Sequence, residues 1–341
     1  MAGLWPDTPI LPSVDAAAVA GLLDRCPKAA ETDLMRVPDL AVAAGVAEIH
    51  LKDERGRLGL GSFKALGAAY VIARHAAEAG GDPVMALTGR TYVAASAGNH
   101  GLSLAAGARI FGARAVIVLS DTVPEAFAAR LRAKGADVVR KGTIYEDSMA
   151  AAAEMAEANG WTLLSDSSWE GYVEHPYRVM EGYLQLAAEA VAQIGEPPTH
   201  VLLQAGVGGM AAAVAAYLRH RWGDGPKIVV VEPEAAPALI ESVRAGRLVE
   251  TEGPVSNMGR LDCKAPSLIA LAGLARDADL FVTISDGLAA AAVERLAALG
   301  LATTPSGAAG VAALFAPEEI RQAMALSDTS RILAVLSEGP A

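Results

Sequence analysis

Seven short apolar runs, most of them β-branched, punctuate the chain at residues 91–95, 115–120, 137–140, 200–205, 227–232, 280–285 and 331–337. Alanine-rich segments of helix length lie between them, at 101–111, 124–135, 145–158, 175–194, 208–222 and 286–299. A strand with one wet face alternates polar and apolar residues. These runs, AVIVLS and KIVVVE among them, are apolar nearly throughout, so both faces are expected to be covered. Such strands alternating with helices predict an α/β fold: open, twisted, mostly parallel sheets flanked by helices, with right-handed crossovers. The runs fall into two groups, 91–164 and 200–337, which predicts two α/β units with a cleft between them. Ligands of such sheets bind beyond the carboxyl ends of the strands, so the loops there are the places to look for chemistry.

Composition narrows the classes. With 341 residues, 52% of them hydrophobic, the chain can bury one large or two moderate cores. Its net charge is −11 and it has no Lys/Arg block, which argues against nucleic acid or an anionic membrane as partner. The stretch VLLQAGVGGMAAAVAAYL (201–218) has the length of a membrane span. Its glycines near the start make a strand, a tight loop and a buried helix the better reading. The N-terminal MAGLWPDTPILPSVD lacks a basic region followed by an apolar one, so no secretory signal is expected. Cys26 and Cys263 are the only cysteines. They suit a reduced, cytoplasmic protein and read as two small buried thiols.

The loop after the 200–205 strand, AGVGGMAA, brings Gly206, Val207, Gly208, Gly209 and Met210 to the start of a helix. Glycines let backbone N–H groups converge on an anion, and the helix adds its positive end, so a phosphate is the expected guest. Gly206, Gly208 and Ala211 also satisfy G-x-G-x-x-A, and Glu232 ends the next strand where a ribose-binding acid would stand. At this point an NAD-dependent oxidoreductase stays open. The loop after 91–95 is SAGNHG. Its amides and the Ser96 hydroxyl can hold a carboxylate, and the Asn99 amide can donate to a phenolate or carbonyl oxygen. An ordinary capping turn explains the same residues. Ser337 ends the last strand, where a hydroxyl can meet a neutral ring nitrogen.

One lysine completes the set. Lys64 sits in GLGSFKALGAAY between Phe63 and Ala65, where desolvation can make an amine nucleophilic. A lone lysine there would ordinarily extend to the surface. Yet an amine, a phosphate cradle, an oxygen-binding Asn and a ring-nitrogen partner match the aldehyde, phosphate, 3′-oxygen and pyridine nitrogen of pyridoxal phosphate. NAD would leave Lys64 and Asn99 without a purpose.

From about residue 50 to 339 the chain resembles the fold-type II pyridoxal-phosphate enzymes, and most of all their diaminopropionate ammonia-lyase and threonine/serine dehydratase branch. KDERGRLGLGSFKALGAAY is similar to the branch's Schiff-base lysine segment, TYVAASAGNHG to its Asn-containing loop, and DSSWEGYVEHPYRVMEGY (166–183) to its D-T-A-W-x-G-Y…M-x-G-Y signature. GVGG, NMGRLDCKAPS (257–267), PSGAAG (305–310) and the closing SEG also match.

The resemblance implies a large cofactor-binding domain from residues 1–82 plus 183–341 and a small mobile one from 83–182, with pyridoxal 5′-phosphate in the cleft between them and a homodimer as the assembly. It implies Lys64 and Asp166 as catalytic residues. Asn99, Gly206 to Met210 and Ser337 would hold the cofactor. Ser96, Ala97, Gly98, His100 and Tyr172 would meet the substrate; His175 and Tyr183 share the last residue's segment. The implied reaction is β-elimination from a 3-hydroxy or 3-amino amino acid, giving a 2-oxo acid and ammonia. β-Replacement, as in cysteine synthases, is the alternative within the fold.

Two residues depart from the pattern. Ala97 stands where the ammonia-lyases usually carry Asp, which removes an acid from the D-substrate face. Thr304 stands where Glu commonly precedes S-G-A. No metal is predicted.

Overall fold

The computed structural model describes residues 10–26 and 28–340, so the first nine residues of the N-terminal segment lie outside it. Among the described residues ten strands form two sheets. They are β1 (Leu34–Arg36), β2 (Glu48–Asp53), β3 (Thr91–Ala95), β4 (Arg114–Leu119), β5 (Ala136–Arg140), β6 (Thr162–Leu163), β7 (His200–Gln204), β8 (Lys227–Pro233), β9 (Leu280–Ile284) and β10 (Arg331–Leu336). The larger sheet runs β1-β2-β10-β7-β8-β9 and the smaller β5-β4-β3-β6. Every pairing is parallel except β1 with β2.

Alternate residues of the apolar strands enter different cores, as the two-residue period of a strand requires. Val201, Leu203, Ile228, Val230, Leu333 and Val335 face one cluster, while Leu202, Val229, Val231, Ile332, Ala334 and Leu336 face the other. The smaller sheet divides in the same way, with Val93, Val116 and Val118 against Tyr92, Ala94, Ile117 and Leu119. Both faces of both sheets are therefore covered, which is why these runs carry so little polarity.

Three differences from the sequence reading bear on the site. The larger sheet begins earlier than expected: β2 lies inside it, between the edge strand β1 and the central β10, with Leu336 of β10 in register with Asp53. The 175–194 segment is two helices, Glu174–Gly182 and Leu184–Gln193. The chain tightens at their junction, where the Tyr183 N–H reaches back three residues to the Met180 carbonyl (3.0 Å). The 201–218 stretch is β7, a turn, and the helix Gly209–Trp222, which is buried on all sides from Gly209 to Leu218. Among the described residues no helix is long and apolar enough to cross a membrane.

Candidate active site

The carboxyl ends of β2, β10 and β7 deliver three segments to one place. After β2 the chain turns through Gly59 and Gly61 into a short 3-10 helix, Phe63–Leu66, which carries Lys64. This segment is stitched to the end of β10: Phe63 N–H donates to the Ser337 carbonyl (3.0 Å), and Gly339 N–H donates to the Gly61 carbonyl (3.0 Å). Lys64 is thereby held beside Ser337, which is buried. Gly67, just beyond, approaches the 174–193 region closely, since a Cβ there would lie 2.9 Å from the Tyr183 hydroxyl.

After β7 comes the glycine turn. Gly208 takes φ +94°, a left-handed conformation that glycine adopts without strain. No side chain caps the helix that follows, so its first N–H groups are available to an anion. The Ser267 N–H donates to the Val207 carbonyl (3.0 Å) and pins the turn from behind.

Asp166 arrives from the smaller sheet, on the loop after β6. Its carboxylate forms an ion pair with the Lys64 ammonium. The loop is firmly held. Tyr172 donates its hydroxyl to the Leu163 carbonyl (2.9 Å) and accepts from the Ser165 N–H (3.0 Å). Ser168 exchanges bonds with Ser267 and with the Leu268 and Ile269 amides. Tyr172 thus buttresses the Asp166 loop from within, and its ring stacks on Trp169 at 4.3 Å. His175 packs against His75 and Tyr172, and none of its contacts reaches Lys64.

The charges hold one another. Burial by itself pulls the Lys64 ammonium down, but the Asp166 carboxylate more than offsets this and keeps it above the ordinary lysine value. Burial likewise pushes Asp166 up, and the Lys64 ammonium outweighs it, so Asp166 stays ionised well below the usual carboxylate range. The Tyr183 ring lies 5.8 Å from Lys64 Nζ, and its hydroxyl is buried without a partner. Burial pushes that phenol up to about 12.

The SAGNHG loop reaches the same cleft. Ser96 Oγ accepts from the Gly98 and Gly101 N–H groups (3.2 and 3.0 Å), so it caps the helix Asn99–Ile110. Ala97 is exposed at the tip. His100 Nε2 lies 2.7 Å from the Leu164 carbonyl, and Nδ1 is buried without a partner. Burial keeps this ring below its ordinary value, so Nε2–H donates and Nδ1 is left as an acceptor. The Asn99 amide donates to Glu338 Oε2 (2.5 Å).

Glu338 is one of three neighbours that sequence reasoning missed. Its other oxygen accepts from Thr304, the hydroxyl that stands in place of the family's Glu, and Arg260 Nε lies 2.8 Å from Oε2. Cys263, read as a plain buried thiol, stands in the site: a Cβ on Gly206 would lie 3.0 Å from its sulfur. Burial and then Asp166 push this thiol up to about 12, so it is inert at neutral pH. Both Arg260 and Cys263 lie in the irregular 247–267 segment, which has no periodicity to read. Their one signal was the resemblance of NMGRLDCKAPS.

Glu232 corrects the NAD reading. Its two oxygens accept from the Leu239 and Ile240 N–H groups (2.7 and 2.8 Å), which caps the helix Ala238–Ala245, and the residue is buried, so it does not stand open to a ribose. Among the described residues no cluster of three His, Cys, Asp or Glu side chains could hold a metal.

Known proteins are similar to this chain in sequence and in fold. The family model described as pyridoxal-phosphate dependent enzyme matches residues 27–338. Diaminopropionate ammonia-lyase of Salmonella typhimurium is 31% identical over 349 residues, covering 92% of this chain and 86% of that one. L-threonine ammonia-lyase of Thermotoga maritima is 28% identical, covering 78% of this chain and 62% of its own. The crystal structure of Escherichia coli diaminopropionate ammonia-lyase in complex with an aminoacrylate–PLP azomethine reaction intermediate matches with a TM-score of 0.88 at 29% identity, covering 99% of this chain and 92% of that one. The same enzyme in complex with D-serine matches with a TM-score of 0.87 at 28% identity, with the same coverage.

Proposed function

The chain belongs to the pyridoxal-phosphate dependent enzymes, and from that premise we propose that the Lys64–Asp166 pair is the proton-transfer centre of its reaction. The enzyme is a pyridoxal-phosphate dependent ammonia-lyase: it catalyses β-elimination from a 3-substituted amino acid, 3-hydroxy or 3-amino, and gives a 2-oxo acid and ammonia.

The residues present fit the cofactor. The Tyr183 hydroxyl is a buried polar atom without a partner. It stands between Gly67, which carries no Cβ to block it, and the first turn of the 209–222 helix, where Gly209 lies 3.8 Å from the Tyr183 ring when a Cβ is placed on it. A phosphate at that turn would take the helix N–H groups and this hydroxyl together. Gly206, Val207, Gly208, Gly209 and Met210 would form the cradle, Lys64 would be the covalent anchor, and Ser337 and Asn99 would meet the ring. When bound, pyridoxal phosphate supplies the electron sink for the carbanion that forms at the substrate's Cα.

The protein's own part is proton management. Lys64 Nζ is the base that takes the Cα proton. It can do so only as the neutral amine, and the Asp166 carboxylate beside it then stabilises the ammonium that forms. That ammonium can return the proton to the departing oxygen or nitrogen on Cβ, which leaves poorly without one. The N–H groups of the Ser96–Gly98–Asn99–His100 loop would hold the substrate carboxylate. Ala97 offers no acid on its side, which favours removal of the proton by Lys64 alone and hence an L-substrate.

We further propose that residues 83–182 move as a unit against 1–82 plus 183–341, since the four-stranded sheet pairs with no strand of the larger one. A homodimer in the reducing cytoplasm suits a chain whose two thiols are both free.

The observation that carries the reading is the ion pair joining Lys64 of one unit to Asp166 of the other, beside an uncapped helix start. The test is a panel of L- and D-serine, threonine, 3-hydroxyaspartate and 2,3-diaminopropionate, scored for 2-oxo acid and ammonia, with one ammonia per 2-oxo acid from the hydroxy substrates and two from 2,3-diaminopropionate. The purified protein should be yellow and should act on L-isomers. A preference for D-diaminopropionate would overturn the role given to Ala97, and no 2-oxo acid from any member would overturn the whole reading.

A further inference from the structure

Arg260 has no duty in the mechanism above, yet it is built into the cleft. Its backbone is fixed on two sides. The Arg260 N–H donates to Ser306 Oγ (3.1 Å), and its carbonyl would lie 3.1 Å from a Cβ on Gly206 of the phosphate turn. From there the side chain reaches Glu338, whose carboxylate also accepts from Asn99 of the substrate loop and from Thr304.

Glu338 is satisfied; Arg260 is not. Among the described residues no side-chain nitrogen of Arg260 makes an aligned hydrogen bond, and the side chain is 31% exposed. Among the described residues its one ion pair is the 2.8 Å approach of Nε to Glu338. A guanidinium carries five N–H donors in a planar fork suited to a carboxylate. Here the fork is backed by an acid, open at the front, and two contacts away from Asn99.

We propose that Arg260 is a specificity-determining residue that binds a second carboxylate of the substrate, so that the preferred substrates are 3-substituted amino dicarboxylic acids such as 3-hydroxyaspartate. This rests on the β-elimination reading above. The phosphate has its own donors in the 206–210 turn, and the α-carboxylate has the 96–100 loop; the Arg260 fork is the cationic group left over. Ala97 at the tip of that loop removes an acid that would repel a dianionic substrate. Burial raises the Glu338 carboxyl above its ordinary value, so it can take up a proton when a second carboxylate arrives beside it.

The test compares the wild type with Arg260→Ala and Arg260→Lys on L-serine and on the threo and erythro isomers of 3-hydroxyaspartate. A calorimetric titration with malonate and with acetate reads binding apart from turnover, and thermal melting reads the fold. The wild type should prefer a 3-hydroxyaspartate over serine. R260A should lower the diacid-to-serine ratio of kcat/KM by about 30-fold or more, mainly through KM, as expected for losing a charged hydrogen-bonded pair. R260K should fall between the two, and malonate binding should vanish in R260A while the melting temperature holds.

Equal losses on serine and the diacid would overturn the proposal, because Arg260 would then serve the α-carboxylate or the fold. So would a wild type that binds malonate no better than acetate. A colourless protein making no 2-oxo acid from anything would instead bring down the lyase reading on which the proposal stands.

Discussion

Two sets of buried charges lie in this molecule, and they differ in one respect. The first joins the β2 region to the helix Leu184–Gln193. Lys52, Glu54, Arg57 and Glu189 are all at most 3% exposed. Lys52 Nζ lies 2.7 Å from Glu189 and also donates to the Thr32 carbonyl and to Gln193. Arg57 donates to both oxygens of Glu54, to both of Glu189, to Thr32 Oγ1 and to the Ala30 carbonyl. None of the charged atoms of these four residues is left without a partner. The second set is the cleft: Lys64 with Asp166, and Arg260 with Glu338. Lys64, Asp166 and Arg260 are partly exposed, and Arg260 keeps unused donors. Charge burial alone therefore does not mark a functional site. A saturated network can only hold the fold, whereas one with spare valences can take a ligand and move a proton.

The comparison breaks most sharply at its two lysines. Lys64→Ala removes the proposed anchor and base together, so kcat/KM should drop by about 10⁴-fold or more and the yellow colour should disappear, while the melting temperature changes little. Absorbance and 2-oxo acid release check both. On the saturated side, Glu189→Gln strips one partner from two buried cations and should cost about 3–5 kcal/mol of stability by urea unfolding. The protein that remains folded should turn over normally.

The same residue has a pH signature. Burial pushes the Glu189 carboxyl up, but Arg57 and Lys52 more than offset this and bring it down to about 2, from 4.5 unfolded. A depressed carboxylate contributes stability above its unfolded value and loses it as the pH falls toward the folded one. The wild type should therefore lose stability between roughly pH 4.5 and 2, and the Gln variant should lack that part of the slope.

Legibility followed the same division. Seven strands were readable because sheets covered on both faces demand β-branched apolar runs. β2 was not, because EIHLKD carries Lys52 into the saturated network, and a buried charge reads as a surface one until its partners are known. β6 is two residues long and leaves no pattern. In the cleft, the glycine turn and Lys64 could be found from local chemistry and from four groups that fit one cofactor. Asp166 lies 102 residues from Lys64, so resemblance alone put the two together. Glu338 and Arg260 are brought together by the irregular 247–267 segment, and no periodicity announces such a contact.

Asp166 sharpens the contrast within the open set. Asp166→Asn keeps the shape and removes the charge proposed to steady the Lys64 ammonium as it passes its proton on, so kcat/KM should fall about 100-fold, with the larger loss on the poorer leaving group. Without the carboxylate, the Lys64 ammonium loses what holds its pKa above the ordinary value. Lys64 in the cofactor-free variant should then react faster with an amine-directed reagent at neutral pH than it does in the wild type. Peptide mapping of the label reads this without any turnover. A variant whose Lys64 labels no faster would mean that Asp166 positions the loop and does not govern the charge.

Tyr183 gives the smallest effect and the finest distinction. Its hydroxyl is buried and unpartnered in a protein where the saturated network leaves nothing over. An unsatisfied buried hydroxyl destabilises the fold, so Tyr183→Phe should raise the stability of the cofactor-free protein by up to about 1 kcal/mol. If a phosphate takes that hydroxyl, the same change should weaken pyridoxal phosphate binding about fivefold, and inorganic phosphate likewise. The two signs must be opposite. Melting of the cofactor-free protein reads one, and a fluorescence titration with each ligand reads the other. A variant that melts lower and binds both ligands as tightly as before would show the hydroxyl to be a structural bond of the closed kind.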